Sequence, residues 1–306
     1  MERIGIIGLG HIGKGCALMI SKAGFPLTVH DIRREPVQEL VQVGANAANN
    51  PKEVMQASDI VCLSLPHPTV DEEVILGENG LLASAREGNI IVEMSTLSPS
   101  QVKRFGEAAK EKEIELIDCA VMRGWYGRVV PYSHGTLAGR LNFLIVGGKK
   151  DVVERCRPVL EVVSEKIYHV GELGAGQSVK LVSTLCGHVN FVGAIEGMLL
   201  GAKVAKKIGL DMRTLFEIAT EGGGGSWMLQ NYFSEMLSGR VAGFNPKTMF
   251  KTASLIVELA EEYGVPTPFM TSTLHYWGYL AAKGFPKDFR EVIQYLEKKH
   301  DVEMKI

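Results

Sequence analysis

The stretch IGIIGLGHIG, residues 4–13, decides the fold of the first half of the chain. An apolar run ends at Gly8, and glycines recur at Gly10 and Gly13 before a helical pattern begins. In this context Gly8 permits a tight turn, Gly10 lets the backbone approach a pyrophosphate, and Gly13 lets helix and strand pack closely. The segment predicts a strand, a phosphate-binding loop and a helix; a glycine-rich turn without a ligand is the alternative. The predicted loop residues are Gly8, Leu9, Gly10, His11, Ile12 and Gly13.

An acidic residue follows about 20 residues after the glycine loop, where the second strand is predicted to end. This residue is Asp31, with Ile32 beside it. A carboxylate there accepts hydrogen bonds from the adenosine ribose hydroxyls and repels a 2′-phosphate, so we expect NAD as the cofactor. Arg33 and Arg34 come next and could hold that phosphate, so NADP stays open as the less favoured cofactor.

The first half of the chain alternates short β-branched runs with helical stretches. This alternation predicts a parallel sheet with crossover helices. From about residue 151 onward the strand patterns nearly disappear and helical patterns remain. Strands are predicted at residues 4–7, 27–29, 60–65, 90–93 and 115–117, and a further pair near 135–137 and 142–146 is expected to close the sheet.

The second half predicts an all-helical domain. The segment 178–208, which contains the longest apolar stretch (181–204), is expected to form one long helix that is covered on all sides and can also face a partner subunit. His188, Asn190 and Glu196 interrupt that stretch and argue against a membrane span. His188 itself is expected to be a core histidine with satisfied hydrogen bonds. We place an NAD-binding domain at residues 1–168 and a helical substrate and dimerisation domain at 169–306.

Composition excludes several classes of protein. The chain has 306 residues, of which 46% are hydrophobic, and its 33 basic against 35 acidic residues give a net charge of −2. This balance provides no broad basic field, so no nucleic-acid partner is expected. Five widely spaced cysteines without a CxxC pair predict reduced core residues in a cytoplasmic protein. The N-terminus lacks the features of a signal peptide. No membrane partner is expected. No metal site is expected either, since no His/Cys/Asp/Glu cluster has ligand spacing.

Longer motifs extend beyond the glycine loop over nearly the whole chain. With GIIGLGHIG they are SLP (64–66), MSTLSP (94–99), DCAVMRG (118–124), GTLAG (135–139), GELGAGQSVK (171–180), IGLD (208–211), SWMLQN (226–231) and GVPTP (264–268). Together they resemble the β-hydroxyacid dehydrogenase family, which includes 3-hydroxyisobutyrate dehydrogenase and tartronate semialdehyde reductase and is distantly similar to 6-phosphogluconate dehydrogenase.

The resemblance implies an α/β protein with an N-terminal Rossmann-type dinucleotide-binding domain, a C-terminal all-α domain and a long interdomain helix. It also implies a homodimer or homotetramer and reversible hydride transfer in an interdomain cleft. By the same resemblance Lys180 is the general acid and base, whereas Leu65, Pro66 and Thr96 line the cofactor cleft. Lys251 matches another family lysine near the cofactor, although the family usually follows that lysine with aspartate and this chain has Thr252.

The position of Lys180 supports the same role without the family. It follows the small residues of segment 174–176 and falls near the start of the long predicted helix. The positive end of a helix disfavours a charged ammonium, which eases proton exchange near neutral pH. A lysine that only packs its stem along the cleft wall is the structural alternative.

The substrate end departs from the family pattern. Where relatives commonly read DAPVSGG, this chain has Met122 in place of serine and Arg123 in place of glycine, followed by Gly124. Two asparagines that bind substrate in relatives are replaced by Ser183 and Thr184. Arg123 with Gly124 offers a planar fork for an acid group, and Ser183 and Thr184 would hydrogen-bond along the substrate. The inserted residues 125–134 would either contact a larger substrate or pack against another subunit.

These residues favour a small anionic 3-hydroxy acid, or its semialdehyde or ketone, as the substrate of an NAD-dependent oxidoreductase. Two alternatives stay open. The aromatic insertion favours an imine or bulky-ketone reductase of the same fold, although the retained Lys180 argues against it. The altered substrate motifs also permit a non-catalytic nucleotide-binding protein.

Overall fold

A computed structural model describes residues 1–122, 143–233, 245–285 and 289–304. The described residues up to Lys180 form one compact unit, and those from Leu181 onward form a second. The division falls within a continuous helix. The predicted domain limits, 1–168 and 169–306, stay a prediction.

The first unit contains one eight-stranded sheet in the order β3-β2-β1-β4-β5-β6-β7-β8. All neighbouring strands are parallel except β6 and β7, which are antiparallel. The chain builds one half of the sheet outward from β1 and the other half outward from β4. The connections of the two halves therefore cross opposite faces of the sheet. The strands are β1 (Ile4–Ile7), β2 (Leu27–His30), β3 (Asn46–Ala47), β4 (Ile60–Leu63), β5 (Ile90–Glu93), β6 (Glu115–Met122), β7 (Phe143–Gly147) and β8 (Ile167–Gly171).

Helices cover both faces of this sheet. Consecutive strand residues point to opposite faces: Ile6 packs in one buried cluster with Cys16 and Val153, whereas Ile7 packs in another with Val54 and Phe105. Because both faces are covered, the strands are apolar throughout. The helices are α1 (His11–Lys22), α2 (Arg34–Val41), α3 (Pro51–Ala57), α4 (Pro68–Leu76), α5 (Pro99–Lys110) and α6 (Lys150–Val163).

The second unit is helical throughout its described part. Its core surrounds Trp277, which is fully buried and stacks on Phe191 with ring centroids 5.9 Å apart. A π-helical segment, Met228–Phe233, adds Leu229 and Phe233 to this core. The helices are α7 (Ala175–Ile208), which begins in the first unit, α8 (Met212–Glu221), α9 (Pro246–Glu262), α10 (Pro268–Ala282) and α11 (Phe289–His300).

Helix α7 is apolar enough to pass a test for membrane-spanning length and composition. Its most apolar 18-residue window has a mean hydropathy of 1.3, and 39% of that window is buried. The core helix of a soluble protein passes the same test. The expectation that it is covered on all sides is not met within one chain, because Val182 and Leu200 are 62% and 67% exposed.

Several sequence expectations differ from the structure. The fourth strand ends at Leu63 rather than residue 65, and β6 extends to Met122, where it pairs with β7. The expected strand at 135–137 lies outside the described residues. Of the five free cysteines, four are buried as predicted, but Cys186 is exposed on α7. The expectation of core burial is therefore wrong for Cys186.

Candidate active site

The parallel strands β1, β2, β4, β5 and β6 end at the same edge of the sheet, which is where open α/β sheets bind ligands. Each of these strands is followed by residues that the sequence singled out.

The glycine loop lies between β1 and α1 and has the shape that a dinucleotide requires. Gly8 has φ +88°, which favours glycine, and a Cβ there would collide with Ser64 O. A Cβ on Gly13 would collide with Gly8 O, so this glycine allows the helix to pack against the loop. A Cβ on Gly10 would have no neighbouring atom within 4 Å, so this side of the loop is open. Because α1 begins without a capping side chain or an acidic first turn, the loop fits a pyrophosphate.

Asp31 follows β2 and bonds to the glycine loop. Its Oδ2 accepts from Leu9 N at 2.6 Å, and its Oδ1 accepts from Arg33 N at 2.8 Å and Nε at 3.0 Å. Arg33 Nη2 also donates to Leu9 O at 3.0 Å. Burial raises the pKa of Asp31, but the bonds from Arg33 and Leu9 outweigh it, so the pKa lies below its usual value. Asp31 is thus an ionised carboxylate fixed by hydrogen bonds. Its neighbour Ile32 is 94% exposed.

Lys180 and Thr96 meet at the carboxyl end of β5. Lys180 is the sixth residue of α7, and its Nζ donates to Thr96 Oγ1 at 2.7 Å. Two residues that are 84 apart in sequence are therefore in direct contact. This contact places the predicted acid and base beside a predicted cofactor-cleft residue.

Ser95 joins the loop after β4 to the loop after β5. Its Oγ accepts from Leu65 N at 2.9 Å, which fixes the backbone of the segment that contains Leu65 and Pro66. Its carbonyl oxygen accepts from Gln177 Nε2 at 2.7 Å, so the first turns of α7 are bonded to the same loop. Leu65, Thr96 and Lys180 therefore belong to one hydrogen-bonded group.

Asp118, in β6, caps the start of α7. Its Oδ1 accepts from Gly174 N at 2.6 Å and its Oδ2 from Gln177 N at 2.7 Å. Asp118 is completely buried, and this burial raises its pKa to about 6 although the backbone N–H groups lower it. Gly147 and Gly176 leave room for the carboxylate, because a Cβ on either would lie against its oxygens. The carboxylate thereby fixes the helix that carries Lys180.

The other predicted site residues fall in three places. Met122 ends β6 and is half-buried, but Arg123 and Gly124 lie outside the described residues. Ser183 and Thr184 follow Lys180 by one turn on α7 and belong to the second unit, as does Lys251 on α9. Within the described ranges, no three His, Cys, Asp or Glu side chains are arranged to hold a metal ion.

No role was predicted for Ser95, Gln177 or Asp118 from sequence. All three lie inside the motifs MSTLSP, GELGAGQSVK and DCAVMRG, and their place in these motifs was a signal. A polar residue in a buried strand, such as Asp118, is a further signal, since a buried carboxylate requires donors. The two partners of Asp118 lie 56 and 59 residues away, and local patterns do not identify them.

Two family models match consecutive parts of the chain. The NAD-binding domain of 6-phosphogluconate dehydrogenase matches residues 3–171. The NAD-binding domain of NADP-dependent 3-hydroxyisobutyrate dehydrogenase matches residues 174–296. Together they cover the glycine loop, Asp31, Thr96 and Lys180.

Curated relatives and solved structures agree with these models. The chain is 35% identical to 2-(hydroxymethyl)glutarate dehydrogenase of Eubacterium barkeri, covering 87% of this chain and 85% of the relative. It is 33% identical to NAD-dependent L-serine dehydrogenase of Pseudomonas aeruginosa, covering 97% and 98%. The structure of Mycobacterium tuberculosis 3-hydroxyisobutyrate dehydrogenase with L-serine aligns with a TM-score of 0.80 at 24% identity, covering 97% of this chain and 99% of that one.

An imine reductase of Bacillus cereus shares the fold, with a TM-score of 0.58 at 17% identity over 96% of this chain and 99% of that one. Such low identity shows the fold alone. Membership of the family rests instead on the two family models and on the relatives above 30% identity, which agree with the motifs and the architecture. The chain belongs to the β-hydroxyacid dehydrogenase family and is an NAD(P)-dependent hydroxyacid dehydrogenase.

Proposed function

We propose that this dehydrogenase transfers hydride between NAD and a small anionic 3-hydroxy acid, with Lys180 as the general acid and base. The observation that carries the proposal is the 2.7 Å bond from Lys180 Nζ to Thr96 Oγ1 at the carboxyl edge of the sheet. When bound, the nicotinamide supplies the hydride acceptor for oxidation and the hydride donor for reduction.

Lys180 would exchange the proton of the substrate oxygen. In oxidation its neutral amine accepts the hydroxyl proton, and in reduction its ammonium returns a proton to the carbonyl oxygen. An ammonium has three N–H donors, and Thr96 Oγ1 accepts one of them, which fixes the direction of the side chain. The Asp118 cap and the Gln177 bond to Ser95 hold the backbone from which Lys180 extends.

Asp31 supports NAD rather than NADP. Its carboxylate stays ionised because Leu9 N and Arg33 donate to it, and a 2′-phosphate beside it would be repelled. Arg33 could turn toward such a phosphate only by giving up its bonds to Asp31 and Leu9 O. One relative is named an NAD-dependent L-serine dehydrogenase and the second family model is named for an NADP-dependent enzyme, so the preference rests on Asp31.

The names of three relatives support a proposal for the substrate class. L-Serine, 3-hydroxyisobutyrate and 2-(hydroxymethyl)glutarate all carry a hydroxymethyl group on the carbon next to a carboxylate. We propose that this chain oxidises the same unit to a semialdehyde. Arg123 and Gly124, with Met122 beside them, would bind the carboxylate, and Ser183 and Thr184 would hydrogen-bond along the substrate. A guanidinium in place of small residues favours an anionic substrate with a different body from those of the relatives.

The test is a substrate panel that follows absorbance of reduced nicotinamide. Wild type is assayed with NAD and NADP against 3-hydroxy acids that share the hydroxymethyl unit and differ in their side groups, with cyclic imines and bulky ketones in the reducing direction. Turnover of at least one such acid with NAD, absent in Lys180→Ala, is the expected result. Turnover of imines or bulky ketones alone, or none at all with reduced cofactor bound, would overturn the proposal.

A further inference from the structure

We infer that Asp71 and Glu93 share one proton and act together as a positioning pair for the loops that carry Leu65 and Thr96. The inference rests on the proposed function, since those loops matter only if Lys180 and the cofactor meet there. Neither side chain is expected to touch the substrate. Their role would be to fix Ser95, which contacts both loops.

The two carboxyl groups lie in a place where two negative charges are not tolerated. Glu93 is the last residue of β5 and Asp71 lies in the first turn of α4, and both are completely buried. Ser95 donates to both side chains, which brings the two carboxyl groups together. Two adjoining carboxyl groups can hydrogen-bond to each other only if one of them carries a proton, because ionised carboxylates only accept. The pKa of Glu93 lies well above its usual value, mainly because the side chain is buried and also because Asp71 is negatively charged.

Ser95 donates a hydrogen bond to one oxygen of each carboxyl group. Ser95 N donates to Glu93 Oε1 at 2.7 Å, and Ser95 Oγ donates to Asp71 Oδ1 at 2.6 Å. Within the described ranges no N–H or O–H group donates to Glu93 Oε2. The pair therefore has two oxygens occupied by Ser95, and a single shared proton satisfies the contact between the carboxyl groups.

Every polar group of Ser95 is used. Its N–H and O–H donate to the acid pair, its Oγ accepts from Leu65 N, and its carbonyl accepts from Gln177 Nε2. Thr96 follows directly and accepts from Lys180 Nζ. The acid pair thus determines where Ser95 lies, and Ser95 determines where Leu65 N and the Thr96 hydroxyl lie.

Amide substitutions test the shared proton because each one changes the number of hydrogen-bond donors at the contact between the two side chains. In Glu93→Gln the amide oxygen still accepts from Ser95 N while the NH₂ group donates to Asp71. In Asp71→Asn the amide oxygen still accepts from Ser95 Oγ while the NH₂ group donates to Glu93. In each single variant one N–H of the amide takes the place of the shared proton and donates to the remaining carboxylate. The double variant places two NH₂ groups against each other, so neither finds an acceptor in the other.

The expected result is a non-additive pattern. Each single variant keeps the KM for NAD and kcat within about twofold of wild type, because its hydrogen bonds remain satisfied. The double variant raises the KM for NAD and the dissociation constant of NADH by about tenfold, as the facing N–H donors are left unsatisfied. Binding of NADH is followed by fluorescence, which does not depend on the chemistry at Lys180.

Three outcomes would overturn the inference: a double variant that binds NADH like wild type, single variants as impaired as the double, or a double variant changed in thermal stability alone. If the double variant does not fold, infrared spectroscopy decides instead. Wild type at neutral pH is expected to show a protonated carboxylic acid band that Glu93→Gln lacks, and its absence would contradict the shared proton. Lys180→Ala binds NADH normally under both proposals, so its activity tests the proposed function separately.

Discussion

Three carboxylates at the carboxyl edge of the sheet are compensated in different ways. Asp31 is held by Arg33 and by Leu9 N. Asp118 is held by backbone N–H groups at the start of α7. Glu93 accepts from Ser95 N, and its burial together with the charge of Asp71 raises its pKa well above the usual value. The same functional group is therefore an ionised carboxylate at Asp31 and a helix cap at Asp118, and we propose that it selects NAD at Asp31 and carries a proton at Glu93.

Replacing Asp31 should weaken the preference for NAD. In Asp31→Ser the charge that repels a 2′-phosphate is lost and Arg33 is released to bind it. The ratio of kcat/KM for NAD to that for NADP is expected to fall by about tenfold or more, since a hydrogen bond to a charged group is worth about 1.5–3 kcal/mol. Asp59→Ser removes the carboxylate of another arginine pair, Arg3–Asp59, and should leave the ratio unchanged. An unchanged ratio in Asp31→Ser would contradict the assignment.

His188 was expected to be a core histidine with satisfied hydrogen bonds, and only its burial is confirmed. Among the described residues its Nδ1 has no hydrogen-bond partner, and its ring packs edge-on against Trp277 with centroids 6.0 Å apart. Burial lowers its pKa to about 4. The native state thus keeps it neutral where the unfolded chain binds a proton, so its contribution to stability is lost as pH falls from about 6.5 to about 4.

The His188→Leu variant should flatten this pH dependence. Its free energy of unfolding, measured by denaturant titration, is expected to change less than that of wild type between pH 6.5 and pH 4, by up to about 3 kcal/mol. His275→Leu changes an exposed histidine on α10 and is expected to keep the wild-type slope. Equal slopes in His188→Leu and wild type would show that His188 is not held neutral.

At the level of elements, sequence patterns located those parts whose signal is local. Strands β1 and β5 begin and end where predicted, because each is a short β-branched run between turn residues. The short elements β3, α3 and α4 were not predicted. Helix α3 depends on the Asn50 cap and Pro51 at its first turn, which stabilise seven residues that have little amphipathic pattern.

The site was predictable to a similar extent. The glycine loop and Asp31 follow from a motif, and Lys180 came from the family resemblance. The contacts of Ser95 with Gln177 and Asp71 could not be predicted, because 82 and 24 residues separate the partners and only the folded sheet brings them together.

The Asp118 cap should affect both stability and activity. Asp118→Asn keeps one accepting oxygen but places an NH₂ group against the second backbone N–H, so one buried N–H loses its acceptor. We expect a loss of about 1–3 kcal/mol in the free energy of unfolding and a lower kcat, since the first turns of α7 carry Lys180.

Asp211→Asn is the matched control for this prediction. Asp211 caps α8 through Thr214 N at 2.9 Å, but it is exposed and far along the chain from Lys180. Its amide variant is expected to cost at most about 1 kcal/mol with kcat unchanged. Equal effects of the two variants on kcat would contradict a specific role for the Asp118 cap.

At the scale of the whole molecule, helix α7 presents apolar side chains that one chain leaves uncovered. Val182, Leu200 and Ile208 are 62%, 67% and 65% exposed on a helix whose core face is fully packed. Exposed apolar surface of this kind favours association. We propose that the protein is a cytoplasmic homodimer or homotetramer, with neither a membrane nor a nucleic acid as partner, and that a second copy covers this face.

Light scattering after size exclusion tests this proposal. Wild type is expected to have two or four times the chain mass, and Leu200→Asp is expected to have a smaller mass at the same concentration. Glu217→Asp, on exposed α8 surface, serves as the control. A monomeric wild type, or one that fractionates with membranes, would contradict the proposal.

The central claim is that Lys180 exchanges the substrate proton, and a single-turnover measurement tests it most directly. Enzyme with bound NADH is mixed with an excess of the semialdehyde of a substrate found in the panel, and the absorbance of NADH is followed. Lys180→Ala is predicted to bind NADH as wild type does but to oxidise it at least about a hundredfold more slowly, whereas Lys110→Ala, on exposed α5 surface, keeps the wild-type rate. A wild-type rate in Lys180→Ala would contradict the claim.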